Sequence, residues 1–445
     1  MSSVPTRIVH QPGLQWNDEG LPEWSKDPST DIMRKLIQQN LDLEEEPELS
    51  FFAKGALNKL FAFDCRKGRF LIRVTLPVAP RAKTDSEIAT IAFIRKQTKI
   101  PVPEVVAYCD DLENELGFEW MIMRRIEAQP LHDMWHQLPW LKKQLIVQQL
   151  AVHWVELFDI RISGIGSIHT SDMYPNRYDG NCEDSVCLGE IVLPGFFMDG
   201  RYQLDIDRGP YNSSRNYLNS CLEWVLHSAT KLLESEDEDE VEHGQSMQTV
   251  YERLQKVIPR YFRHHSHKEE TLLLHRDVTA MNILVNKEGE IVSIVDWECI
   301  AAVPIWQACE LPSLLRGTVH QFISVPGKVP ETEEDHEDRN EFYEQYHMDY
   351  EVARLRTFFL EEMQRLSPEW TAAFQADQVR HDIALAISCC YEESYCNWIG
   401  AWLKALLEGP EPTVSLEDAI RSPKHRREAD WFQAWLAAKR ARATS

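Results

Sequence analysis

Between Leu272 and Glu298 the chain gathers two carboxylates and one amide at spacings that point to metal and proton chemistry. The stretch reads His275-Arg276-Asp277, then Val278-Thr279-Ala280-Met281-Asn282, then the apolar triplet Ile283-Leu284-Val285. A turn over Asn286-Lys287-Glu288-Gly289 leads into Glu290 to Val295 and then Asp296-Trp297-Glu298. Gly289 supplies a turn residue that tolerates positive φ, so the flanking apolar runs are predicted to pair as an antiparallel hairpin. Asn282 precedes the first strand and Asp296 follows the second, which puts both at the open end of the hairpin. Asp277 lies five residues before Asn282, on the loop entering that end. Hard oxygen donors at this density suit Mg²⁺, held by one or two carboxylates with phosphate oxygens completing the shell. A free carboxylate beside the metal can accept the proton of an attacking hydroxyl. Any one of these residues alone would read as an ordinary turn residue; the combined pattern does not.

The elements that must position this corner fall into two regions. Residues 1–50 read as a polar, acidic N-terminal extension with one helix near Asp31–Leu43. Residues 51–127 read as a small antiparallel sheet carrying one helix. Phe70, Ile72 and Val74 alternate with Leu71 and Arg73, a period of two, and Ile88, Ile91 and Ala92 follow at helical spacing over Asp85–Gln97. Ile100-Pro101-Val102-Pro103 cannot continue that helix, because each Pro drives its predecessor to extended backbone. Residues 128–445 read as mainly helical, with Trp140–Ile160, Tyr350–Leu366, Trp370–Leu407 and Asp430–Arg442 as helices. An irregular insertion spans 163–215. The acidic run of the 234–247 loop and that of Glu331–Asp338 are expected to be disordered by self-repulsion. The tryptophans on the last helices read as core fillers.

Composition narrows the partners. The 445 residues carry a net charge of −24, which opposes binding to nucleic acid or an anionic membrane. Ten cysteines include no Cys-x-x-Cys pair, which favours reduced, mostly buried thiols and a cytoplasmic setting. The N-terminus has no basic-then-apolar signal pattern, and no run of 18 apolar residues appears. A phosphate loop of the Gly-x-x-x-x-Gly-Lys-Ser/Thr type, His-Glu-x-x-His and Gly-x-Ser-x-Gly are all missing. A metal-dependent hydrolase built on His275 and Asp277 would need further His ligands, and His153, His169 and His264-His265 lack partners at useful spacing. No signal bears on oligomeric state.

His275-Arg276-Asp277 with Asn282 resembles the catalytic loop of kinases, and Asp296 stands where a metal-binding Asp follows the hairpin. Trp297-Glu298 after that Asp, then Pro304 and Trp306, resembles the aminoglycoside phosphotransferase and choline-kinase-like family, in its fungal-type branch. The resemblance covers roughly residues 50–315. It implies an α+β, two-lobed protein-kinase-like fold, with a small antiparallel sheet and one helix in the first lobe and a larger, mainly helical second lobe. It implies an ATP-dependent phosphotransferase acting on a hydroxyl of a small-molecule acceptor. Asp277 would be the catalytic base, with Asn282 and Asp296 as Mg²⁺ ligands and Leu284 beneath the adenine. In the first lobe it implies that Gly55 and Asn58 lie in the phosphate-covering loop. Arg73 would contact the phosphates and pair with Glu87, and Met123 and Ile126 would flank the adenine. One Gly stands in the covering loop where the family pattern has more, and Arg73 replaces a Lys. A cationic or polar acceptor is expected, with Glu298, Trp306, Glu392, Glu393 and Trp398 as candidate wall residues. The competing reading is a catalytically silent, kinase-like nucleotide-binding or scaffold protein.

Overall fold

The computed structural model describes residues 8–173, 187–263, 267–316 and 336–443. Cys182, His264, His265 and residues 331–335 of the second acidic run lie outside the described residues. The chain opens with a short hairpin, β1 (Leu14–Trp16) and β2 (Pro22–Trp24), and a helix, α1 (Thr30–Asn40). Five strands follow with one helix among them: β3 (Ser50–Lys54), β4 (Asn58–Cys65), β5 (Gly68–Thr75), α2 (Ala82–Gln97), β6 (Val105–Cys109) and β7 (Glu119–Arg124). They form one antiparallel sheet in the order β3-β4-β5-β7-β6.

Strand alternation gives this sheet two different faces. Phe63, Phe70, Ile72, Val74, Trp120 and Ile122 pack against Met33, Leu36 and Ile37 of α1, so part of the expected N-terminal extension closes the outer face of the sheet. The opposite face carries Ala62, Leu71, Met121 and Met123, packed with Ile88 of α2. Arg73 shares that inner face, two residues along β5 from Leu71.

The second lobe begins at β8 (Gln129–Pro130), α3 (Leu131–Met134) and α4 (Trp140–Asp159). The insertion then supplies β9 (Ile162–Ser163), β10 (Ser167–His169) and β11 (Cys187–Gly189), followed by α5 (Ser214–Leu233) and α6 (Glu238–Tyr261). The motif region comprises β12 (Glu270–Leu274), β13 (Ile283–Val285), β14 (Ile291–Ile294), β15 (Ala301–Pro304), α7 (Ile305–Ala308) and α8 (Ser313–Arg316). Next come α9 (His336–Leu366), α10 (Pro368–Gln375), α11 (Gln378–Cys389) and α12 (Glu393–Glu408). One large core runs through this lobe, and Trp135, Trp297, Trp370 and Trp402 are among its most buried side chains. No helix of the described residues is long and apolar enough to cross a membrane.

Two expectations change. The span Trp370–Leu407 is three helices, interrupted around Asp377, which sits at φ +62, and again at Cys390–Glu392. The acidic run after 234 is not a disordered loop: it opens α6. Asp237 caps that helix, accepting from Asp239 N at 2.8 Å and Glu240 N at 3.3 Å, and Glu238, Asp239 and Glu240 fill its first turn. Unpaired N–H groups and the positive end of the helix dipole offset the self-repulsion of these carboxylates. Asp237→Ala is therefore expected to cost about 1 kcal/mol in denaturant unfolding; no measurable loss would return the run to an unstructured loop.

Candidate active site

Two short sheets assemble the corner that carries the motif. β13 pairs with β14 on one side and with β8, the strand that leaves the first lobe, on the other. Gly289 turns this hairpin at φ +78. At its open end Val295 N donates to Asn282 O at 2.9 Å, so Asn282 and Asp296 are held at neighbouring positions. Central strand β12, flanked by β15 and β9, delivers His275 and Asp277 from the other direction. The loop after Asp277 is stitched to its surroundings by Leu314 N donating to Val278 O at 2.8 Å and His132 N donating to Ala280 O at 2.9 Å.

Asn282 joins the two halves of the site. Its Nδ2 donates to Asp277 Oδ2 at 2.8 Å and to Asp277 O at 2.9 Å. That commitment turns Oδ1 away from Asp277, and among the described residues no hydrogen bond to it is made, so it is available as a hard oxygen ligand. Burial pushes the Asp277 carboxyl above its ordinary value, and the Asn282 hydrogen bond only partly offsets this. His275 is a scaffold, not a ligand. Its ring is buried, Nε2 lies 3.3 Å from Val295 O, and Nδ1 accepts from Asp277 N at 3.3 Å. Burial lowers its pKa to about 4, so the ring is neutral and ties the Asp277 loop to the strand ending at Asp296. The hydrolase alternative loses its metal-binding His for this reason. No cluster of three or more His, Cys, Asp or Glu suited to a metal occurs among the described residues.

Asp296 sits at φ +66, a backbone region that Asp tolerates better than most residues. Burial raises its carboxyl to about 7, with the nearby charges of Glu298 and Glu87 adding to the shift and those of Arg73 and Lys83 opposing it. No hydrogen bond to this carboxylate is made within the described residues. A partly buried acid whose carboxyl is pushed up by burial and by neighbouring carboxylates is what a divalent cation would relieve. The donor set of Asn282 Oδ1 and Asp296 thus fits Mg²⁺ completed by phosphate oxygens.

The first lobe supplies cations. Arg73 binds both carboxylate oxygens of Glu87 through its terminal nitrogens, Nη1 at 2.8 Å from Oε1, and both residues are buried. Its Nε has no hydrogen-bond partner, a buried donor that an anionic oxygen would satisfy. Asn58 lies at the start of β4, where its Oδ1 accepts from Thr75 Oγ1 at 2.8 Å and its Nδ2 donates to Glu298 Oε2 at 2.9 Å. Gly55, in the β3–β4 turn, faces open space, so nothing blocks approach to its backbone. Met123 packs on the inner face of the sheet, Ile126 is half-buried in the link from β7 to β8, and Leu284 is half-buried opposite Pro130 and Ser293.

Lys83 was not foreseen. It is buried and pairs with Glu298. Its signal was present, because Lys83 and Glu87 are four apart and share one helix face. The helix begins at Ala82, three residues before the predicted Asp85, which brings Lys83 into its first turn. Asp85, one turn in, accepts from Thr170 N at 3.2 Å and lies 2.8 Å from His169 Nδ1, which locks α2 to β10 of the second lobe.

Beside Asp277 lies a cavity of about 290 Å³. Of the predicted wall residues only Glu298 lines it. Burial would raise the Glu298 pKa, but the charges of Lys83 and Arg73, with hydrogen bonds from Lys83 and Asn58, hold it down to about 2. Trp306 is core, donating from Nε1 to Ser214 Oγ at 2.9 Å. Glu392 and Glu393 are exposed, and Trp398 packs under Arg426, 4.0 Å from its ring centroid. The helix break at Cys390–Glu392 explains the difference: Ala384, Ile387, Ser388 and Tyr391 reach the cavity instead.

The model of the phosphotransferase enzyme family matches residues 48–179 and 203–321. A subtelomeric hrmA-associated cluster protein of Aspergillus fumigatus is 36% identical over 168 residues, which is 37% of this chain and 33% of that protein. Altered inheritance of mitochondria protein 9, mitochondrial, of Saccharomyces cerevisiae is 21% identical over 388 residues, 76% of this chain and 60% of that protein. The chain therefore spans about a third and three-fifths of the lengths of these relatives. Among solved structures, aminoglycoside phosphotransferase APH(4)-Ia aligns over 85% of this chain and 98% of its own, at 13% identity and a TM-score of 0.43. A putative aminoglycoside phosphotransferase from Ralstonia eutropha aligns over 93% and 99%, at 13% identity and a TM-score of 0.41.

Proposed function

We propose, from the premise that this chain belongs to the phosphotransferase enzyme family, that it moves the γ-phosphoryl group of ATP to a hydroxyl of a small-molecule acceptor. The observation that carries this reading is the linked pair Asp277–Asn282. One amide nitrogen holds the base while the free amide oxygen lies at the hairpin end that also carries Asp296.

Each residue then has one task. Asp277 accepts the proton of the acceptor hydroxyl at a carboxylate oxygen as that hydroxyl attacks phosphorus. Asn282 Oδ1 and Asp296 are the metal ligands, and Arg73 Nε is a donor for a phosphate oxygen. Glu87 keeps the guanidinium in place and Lys83 keeps Glu298 away from the metal position. Gly55 and Asn58 line the phosphate side, with Met123, Ile126 and Leu284 on the adenine side. When bound, Mg·ATP supplies the phosphoryl group and a cation that offsets charge developing in the transfer. The chain's own contribution is positioning and electrostatics. A cytoplasmic location belongs to this proposal; the yeast relative is named as mitochondrial.

Thermal melting with Mg·AMP-PNP tests the nucleotide site. At a hundredfold excess over its Kd the ligand is expected to stabilise the chain by about 2.7 kcal/mol. An unchanged melting temperature at millimolar nucleotide overturns the reading. Stabilisation with no phosphorylated product from a metabolite extract, read by mass spectrometry, would favour the catalytically silent alternative.

A further inference from the structure

Resting on the phosphotransferase reading, we infer that Asp85 is a positioning residue. It anchors the start of α2 to the 163–215 insertion, and through that helix it sets where Arg73 and Glu298 stand at the phosphate and metal corner.

The start of α2 is buried on every side. Ala82 to Ile88 are all buried, and five of these seven residues are polar or charged. A helix that is polar all round bridges neighbouring bodies and does not rest one apolar face on a core. Its own sequence does little to fix the first turn. Arg81 precedes it at φ +67 and makes no side-chain cap, and Arg81 N donates instead to Glu119 Oε1 of β7. Contacts from elsewhere in the chain therefore decide where the helix begins.

Residues two apart leave a helix on nearly opposite faces. Lys83 and Glu87 share one face, where Lys83 pairs with Glu298 and Glu87 holds the Arg73 guanidinium. Asp85 leaves from the other. There Thr170 N donates to Asp85 Oδ2 at 3.2 Å, Thr170 Oγ1 donates to Oδ1, and His169 Nδ1 lies 2.8 Å from Oδ2. His169 Nε2 is in turn 2.9 Å from Glu190 O, just past β11. Apolar packing runs alongside, since Val78, Ala79 and Ala82 share one cluster with Val192, Phe197 and Tyr202 of the insertion.

A carboxylate is costly to bury unless its oxygens are bonded, and both Asp85 oxygens are committed to the dipeptide His169-Thr170. Removing that carboxylate frees the first turn of α2 to shift. The shift passes to Arg73 and Glu298, because Glu87 and Lys83 stand two residues to either side of Asp85 on the same helix.

Calorimetric titration with Mg·AMP-PNP and amide hydrogen exchange of the ligand-free chain test this. Asp85→Ala is expected to weaken Mg·AMP-PNP about tenfold, on the order of one charge-assisted hydrogen bond, and to speed exchange across α2. Asp85→Asn should recover most of the affinity, because its amide oxygen still accepts from the insertion and its amide nitrogen can donate to Thr170 Oγ1. Glu351→Ala controls for a merely structural loss. It breaks a buried tie to Lys143 and Trp135 within the second lobe, so it should lower the melting temperature and leave the nucleotide affinity unchanged. Should Asp85→Ala fail to fold, Thr170→Val, which removes one hydroxyl donor at constant shape, should weaken the nucleotide about threefold. Unchanged affinity in the folded Asp85 or Thr170 variant, an equal loss in Glu351→Ala, or unchanged exchange of α2 overturns this inference alone. A parent that binds no Mg·AMP-PNP overturns the phosphotransferase reading and this inference with it.

Discussion

Asp277→Asn is expected to lower the rate of phosphoryl transfer by about 10²–10⁴-fold, the range associated with loss of a positioned general base. The substitution is nearly isosteric, and the amide can still meet Asn282 through its oxygen, so the loop should keep its shape. Asp277 stands at the cavity mouth, largely exposed though its carboxyl is partly desolvated, and it bears no buried ion pair, so melting should change by about 1 °C or less. The Mg·AMP-PNP shift should persist, because the proposed metal ligands, Asn282 and Asp296, are untouched. In the parent the rate should fall as pH drops through the Asp277 pKa, which burial sets above its ordinary value, and that acidic limb should vanish in the variant. Full turnover by Asp277→Asn would remove the base from the mechanism.

Asp296→Asn should have opposite effects on activity and stability. Asn tolerates the left-handed backbone at φ +66, so the turn survives, but the charge proposed to hold the metal is gone. Loss of several kcal/mol of transition-state stabilisation corresponds to about a 10³-fold fall in turnover. Stability should move the other way in the ligand-free protein. The Asp296 carboxyl rises from 3.8 in the unfolded chain to about 7 in the fold, so folding takes up a proton between those values. The destabilising cost of the ionised side chain therefore grows as pH rises from about 4 and is complete above about 7. At pH 8 the variant should melt about 1–2 °C above the parent, and the difference should close on acidification. Adding Mg·AMP-PNP should reverse the order, since only the parent gains the full metal interaction. A ligand-free variant that melts lower at pH 8 would show that the Asp296 carboxylate is held by the protein and not by a cation.

The legible parts of this protein were those in which local pattern and tertiary structure agree. The hairpin Ile283–Ile294 follows from two apolar runs and Gly289, and strand pairing alone then places Asn282 beside Asp296. The alternation at Phe70–Val74 by itself assigns the two faces of the sheet. Misreadings arose where a local rule met a competing force. Like-charge repulsion in the acidic run after 234 lost to the unpaired N–H groups of a helix start. Lys83 escaped because a helix boundary three residues late moved it off the face it shares with Glu87.

What the sequence by itself determined is the corner that gathers Asp277, Asn282 and Asp296, since they lie within twenty residues of chain linked by one hairpin. Only the tertiary structure decided what surrounds that corner. The Glu298 carboxylate is committed to Lys83, 215 residues away in the chain, and the cavity wall is drawn from segments as distant as Phe196, Trp224 and Tyr391. Hydrogen bonds within a hairpin are local and leave a period in the sequence. The packing of helices from remote segments is set by total shape and volume, and it leaves none.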